Sequence, residues 1–288
     1  MLTLFTDSDC DITMYDAKRM GYKLIPMPYS IEGETVYPYE DNDEFDFKAF
    51  YTRLRNGDMP TTFALNEQNY LNIFEPEFAA GNDIFYVHFS AAMTVTFDVM
   101  HRVVDKLKAK YPGRKFYEID TLGITLPSYA IADQVSILFK QGKTPEEVLK
   151  WAETEVQRWA VYFFADNLKF FRRSGRVSGL AATMGGLIGL RPIIYMNEEG
   201  KMVSIGTEKG RLKAMTRLID TIAEIGDLQD YPIYLGHADA PELAAQLADM
   251  IRSRFGSEIE IITVQVNPTT GAHCGPDTTG VCFHAKHR

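Results

Sequence analysis

Short apolar runs alternate with stretches of helical periodicity through the first half of the chain, and this alternation narrows the possible folds more than any other feature. Residues 2–6, 23–29, 83–89 and 115–120 read as strands. Residues 45–55 and 95–110 have helical spacing, and two further helices fill 121–158, the second from Pro145. Apolar side chains at i, i+3 and i+4 mark a helix, whereas brief apolar runs closed by Asp, Gly or Pro mark a buried strand. Asp43 and Glu44 favour the start of the 45–55 helix, and Thr144 with Pro145 supplies an N-cap and a first helical residue. Pro26 and Pro28 interrupt the second run. Strands joined by crossover helices imply a parallel sheet covered on both faces.

The pattern changes near Val161. Strands are expected at 161–164, 191–196, 202–206, 233–237 and 258–266, with a hairpin turn over Asn197-Glu198-Glu199-Gly200. Helices fall at 168–173, 210–225 and 240–255, and a glycine-rich apolar segment covers 180–190. With 288 residues there is enough chain for two cores. The fold class expected is α/β: an N-terminal α/β domain (1–160) with a mostly parallel sheet, and a C-terminal α+β domain (161–288).

Net charge is −9 with no basic stretch, which argues against a nucleic-acid partner. Cys10, Cys274 and Cys282 are odd in number and lack metal-ligand spacing, which points to a reducing compartment and no disulfide framework. The start reaches Asp7 without a basic leader, and segment 180–190 is far too short to cross a bilayer. These features predict a cytoplasmic protein with no integral membrane segment, metal or cofactor.

Ligands of open α/β sheets bind at the carboxyl ends of strands. Thr6-Asp7-Ser8, residues 90–96, Asp120-Thr121 and residues 271–275 occupy such places, and Pro60-Thr61-Thr62 precedes a helix starting near Asn66. In Gly271-Ala272-His273-Cys274-Gly275 the flanking glycines allow a close approach to a small anion, and imidazole offers a donor and an acceptor. The same segment also reads as a tight turn. Asp9-Cys10-Asp11-Ile12-Thr13 spells the D-x-D-x-T pattern of haloacid-dehalogenase-like phosphatases, with Asp9 as nucleophile and Asp11 as general acid beside magnesium. That chemistry needs a later acidic pair at a strand end, whereas Asp227 and Asp230 follow a helix. The structural alternative has Asp7 and Ser8 capping a turn, with Asp9 and Asp11 solvated. Arg172-Arg173-Ser174-Gly175-Arg176 either clamps a phosphate or complements a helix C-terminus. His88 and His237 read as packed. No G-x-S-x-G, G-x-G-x-x-G or P-loop is present.

Taken in order along the chain, these segments resemble the DegV family. Thr6-Asp7-Ser8 with Asp11, Pro60-Thr61-Thr62, Ser90 to Phe97, Arg173-Ser174-Gly175-Arg176-Val177, Leu190-Arg191-Pro192-Ile193, Gly236-His237-Ala238-Asp239 and Gly271 to Pro276 carry the likeness. It implies two domains holding a long-chain fatty acid, and a carrier that presents the carboxylate to a separate ATP-dependent fatty-acid kinase. The carrier itself would perform no covalent chemistry and have no catalytic residue. Carried over by position, Thr62, Thr94 and His273 would bind the carboxylate, while Arg173, Arg176 and Arg211 would face the kinase or a phosphate. Thr62 and Thr94 also read as caps of the helices that follow them. Phe63, Ala64, Ala91, Val95 and Asp277 depart from the family pattern, and Asp277 would repel an anion unless its side chain points away. Met93, Leu187 and Ile188 would line either a tunnel or a core. A binding protein for another carboxylated or phosphorylated small molecule is the remaining reading.

Overall fold

The computed structural model describes residues 1–40, 44–178 and 189–288. Leu187 and Ile188, the glycine-rich run before Gly189, and Asp43 lie outside the described residues. In the first half, strands β1 (Leu2–Asp7), β2 (Tyr22–Ile25), β3 (Tyr29–Ile31), β4 (Glu34–Val36), β5 (Thr61–Thr62), β6 (Asp83–His88) and β7 (Phe116–Asp120) alternate with helices. These helices are α1 (Met14–Met20), α2 (Phe47–Arg55), α3 (Glu67–Ala79), α4 (Thr96–Lys110), α5 (Leu126–Lys140) and α6 (Pro145–Glu155). Strands β2-β1-β6-β7 pair in that order, every pair parallel, as the alternation predicts. The second expected strand divides at Pro26 and Pro28: β2 stays in this sheet while β3 joins the small antiparallel sheet β4-β3-β5. Proline donates no ladder hydrogen bond, so a single strand through both positions is disfavoured.

The second half adds β8 (Trp159–Phe164), β9 (Val177–Ser178), β10 (Leu190–Met196), β11 (Met202–Lys209), β12 (Ile233–His237), β13 (Ile261–Gln265) and β14 (Thr279–His284). They form one mixed sheet in the order β13-β12-β14-β8-β10-β11-β9. Helices α7 (Leu168–Ser174), α8 (Arg211–Ile225), α9 (Pro241–Phe255) and α10 (Pro268–Cys274) connect them. Two expectations need correction. Residues 271–275 are not a simple turn: 271–274 form the last turn of α10, which Pro268 starts and the Asn267 side chain caps. Strand β14, buried throughout, was not expected at all. Its apolar core is only Val281-Cys282-Phe283, beside a glycine, too short to register as a strand in sequence.

Helix α5 holds the two sheets together. Residues 126–133 are buried on every side, as befits a helix sandwiched between layers. Tyr22 donates to the Ala132 carbonyl from the first sheet (2.8 Å), and Tyr234 donates to Asp133 from the second (3.2 Å). One continuous apolar core therefore runs from Phe85 and Val87 through Ile131 to Trp159 and Tyr234. Truncating Ile131, fully buried, would cost about 2–5 kcal/mol by leaving a cavity there. A second core lies between the large sheet and α8 and α9, around Leu218, Leu235 and Leu247.

Candidate functional site

A cavity of about 420 Å³ opens between the two sheets, within the range of small-molecule sites. Its walls are mostly apolar, including Met27, Phe89, Leu126, Val161, Phe163 and Met196. Gly236 and Gly280, paired in register across β12 and β14, also border it. Thr62, Thr94 and His273 all line this one space, as does Met93.

Each polar group is set by its local structure. Thr62 ends β5, where it pairs with Tyr29. It does not cap α3: Asn66 does, in a reciprocal box with Asn69. That leaves the Thr62 hydroxyl free to meet the His273 ring, with Oγ1 2.9 Å from Nε2. Thr94 follows a single 3₁₀ turn, and its Oγ1 accepts from the Thr96 amide at 3.2 Å. Thr94 is not the N-cap of α4, which is Val95, and its hydroxyl still has a hydrogen to donate. His273 stands on the last turn of α10. A Cβ at Gly271 would lie 2.5 Å from the Tyr51 hydroxyl, and Gly275, at φ 74°, packs against Phe170. Both glycines thus serve the close packing of α10 against α2 and α7.

Electrostatics single out this end of the cavity. Burial pushes the His273 pKa down to about 4, and the cations Arg176 and Arg173 push it the same way. The ring is therefore neutral at pH 7, in a positive field. When Nε2 carries the proton it donates to Thr62, which frees the Thr62 hydrogen for a further acceptor. The arrangement suits an anion with two or more oxygens.

The arginines divide. Arg176 lines the cavity, and its guanidinium donates to the Ser174 carbonyl at 2.6 Å. Arg173 donates to the Met59 carbonyl at 2.6 Å. Arg211 instead donates to Asp166 (2.7 Å) and Asp277 (3.2 Å). Asp277 is also held by Arg55 at 2.8 Å, so two arginines balance its charge.

The turn after β1 corrects a further expectation. Asp9 and Asp11 are not solvated; they are 5% and 3% exposed. Asp7, fully buried, accepts from the Asp9 and Phe89 amides, the Tyr86 hydroxyl and the Cys10 thiol. Burial raises its pKa to about 7 despite these bonds. Asp11 accepts from both nitrogens of Asn267, at 2.8 and 2.7 Å, and burial raises its pKa to about 8. Among the described residues no three His, Cys, Asp or Glu side chains converge as metal ligands, so the acidic pair a phosphatase would need does not assemble around Asp9. His88 is buried against Phe97, and His237 accepts from the Ala240 amide at 3.2 Å, both as expected of packed histidines. Sequence reasoning missed that Asp9 and Arg176 border the cavity, since no spacing rule places either there.

Comparison with known proteins fits this geometry. The sequence matches the family described as "Uncharacterised protein, DegV family" over residues 1–286. The chain belongs to the DegV family. A DegV domain-containing protein of Clostridium perfringens is 29% identical over 281 residues, covering 97% of this chain and 96% of its own. A fatty-acid-binding DegV protein from Thermus thermophilus shares the fold with a TM-score of 0.85 at 21% identity, covering 99% of both chains. A stearic-acid-binding protein from Eubacterium ventriosum does so with a TM-score of 0.87 at 16% identity, again covering 99% of both. Both of these proteins bind a fatty acid. Among the described residues no helix is long and apolar enough to cross a membrane.

Proposed function

We propose that this protein binds a long-chain fatty acid, with the carboxylate at Thr62, Thr94 and His273 and the acyl chain in the cavity between the sheets. The observation that carries the reading is the Thr62–His273 pair in the wall of a mostly apolar cavity, set in the field of Arg173 and Arg176. Burying about fifteen methylenes at ~0.8 kcal/mol each offers roughly 12 kcal/mol. Association costs of ~4–15 kcal/mol offset much of that gain. Each charge-assisted hydrogen bond at the head contributes only ~1.5–3 kcal/mol. The tail therefore supplies much of the affinity, and the hydroxyls fix which end faces out. We further propose that the exposed carboxylate is presented to a separate ATP-dependent fatty-acid kinase, with Arg173 and Arg176 flanking it and the ion-paired Arg211 on the adjoining surface.

Native mass spectrometry of the purified protein tests the first part: a co-purified fatty acid is expected. A clean apo mass together with no uptake of labelled palmitate or oleate would sink it. The double variant Thr62→Ala, Thr94→Ala should lose affinity at least tenfold, the equivalent of one charge-assisted hydrogen bond, while keeping its fold.

A further inference from the structure

Asp9 lines the cavity together with Met27, Phe89, Leu126 and Val266, apolar side chains suited to a hydrocarbon. It is 5% exposed, and its Oδ1 has no hydrogen-bond partner in the protein. Among the described residues lining the cavity, it is the one whose buried side-chain oxygen lacks a partner. Other hydroxyls of the wall are engaged: Thr278 donates to the Cys274 carbonyl, and Thr96 meets Tyr70 and the Leu65 amide.

The polar neighbour of Asp9 is the Thr269 hydroxyl. That hydroxyl donates its hydrogen to the Met27 carbonyl at 3.0 Å. Its one hydrogen being committed there, it has none left for the Asp9 carboxyl. Burial and the nearby Asp7 and Asp11 raise the Asp9 pKa, so its charged form is disfavoured. What remains unmatched at Asp9 is an acceptor. The terminal torsion of aspartate is broad and two-fold, so rotation about it can turn that oxygen toward a group in the cavity. Against a bare polymethylene the acceptor stays unpaired, which costs free energy that a donor would recover. Thr269 sits one turn before His273 on α10, about 6 Å along the axis, so the donor belongs several carbons below the carboxylate.

We propose that the preferred cargo is a hydroxylated long-chain fatty acid whose chain hydroxyl donates to Asp9, which makes Asp9 a specificity-determining residue. This rests on the fatty-acid reading above and refines it to a substrate class. The D-x-D pattern of the β1 turn then serves recognition and not phosphoryl chemistry.

The test uses the full chain after delipidation. Palmitic acid competes with a series of monohydroxypalmitic acids, the hydroxyl moved along successive carbons, and bound species are counted by native mass spectrometry. One or two adjacent positions should win over palmitic acid by about tenfold, the discrimination of one hydrogen bond. Asp9→Asn, which keeps an acceptor oxygen in the same shape, should retain the preference. Asp9→Leu should abolish it and bind palmitic acid at least as well as the parent does. A flat series in the parent protein, or a preference that survives in Asp9→Leu, overturns the proposal. Tight palmitic-acid binding with a flat series defeats this inference alone, whereas no binding of any acid by the folded protein defeats the fatty-acid reading as well.

Discussion

Two polar clusters meet the same cavity, one through His273 and one through Asp9, and burial shifts their titrating groups in opposite directions. At the His273 end the imidazole loses its proton to burial and to the neighbouring arginines. In the β1 turn burial raises the pKa of Asp7, Asp9 and Asp11, which disfavours their charged forms. Among the described residues the first cluster leaves Arg173 and Arg176 without an ion-pair partner, and the second holds carboxyls whose charge burial disfavours. Under the proposed function, such a cavity offers a positive field to the charged head and a less charged wall to the chain.

The comparison breaks most visibly if Asp7 is removed. Asp7→Ala strips an acceptor from the Phe89 and Asp9 amides and the Tyr86 hydroxyl, all buried. The expected loss is about 3 kcal/mol or more, read by urea denaturation, and a loss under about 1 kcal/mol would show that the turn is not held by its carboxyl. The pH response comes next. Asp11 has its folded pKa raised to about 8 from an ordinary value of 3.8, so the folded state binds the extra proton across that window. Its contribution to stability is full below about pH 4 and is lost as pH rises through about 8. Asp11→Asn, tolerable at φ 56° because asparagine visits the left-handed region, removes the dependence. Relative to the parent it should gain on the order of 2 kcal/mol between pH 5 and pH 8 in thermal or urea unfolding. An unchanged difference across that range would count against a buried, protonated Asp11. The smallest effect sharpens the other side. Arg176→Gln removes a cation that lowers the His273 pKa, so the imidazole midpoint followed by NMR should move up from about 4, by under about one unit because the arginine is exposed. A downward shift would place Arg176 away from the ring.

Much of the scaffold was legible in the residues themselves. The parallel order around β1 and β6 follows from strand–helix alternation, and the Thr144 cap with Pro145 marks α6 without ambiguity. The segments that carry Thr62, Thr94 and His273 were legible as a set, because they sit at strand and loop ends that come together around one cavity. What was not legible came from packing. Nothing local distinguishes a solvated Asp9 from a buried one; its burial depends on α5 and α10 closing over the turn, contacts made far away in sequence. Strand β14 was hidden for a related reason. Its six residues acquire strand character from the partners on both sides, and propensity has little say in so short a run.

The position of β14 has a kinetic consequence. In the large sheet it separates the β13-β12 pair from the strands beginning at β8, and it bonds to both. Until it docks, the two parts of the sheet present unpaired edges, which are liable to pair wrongly. Thr278 and Gly280, which border the cavity, arrive with it. Sheet closure is therefore governed by a contact of high sequence separation, the kind that slows folding. The cavity is therefore complete only once β14 has docked between β12 and β8.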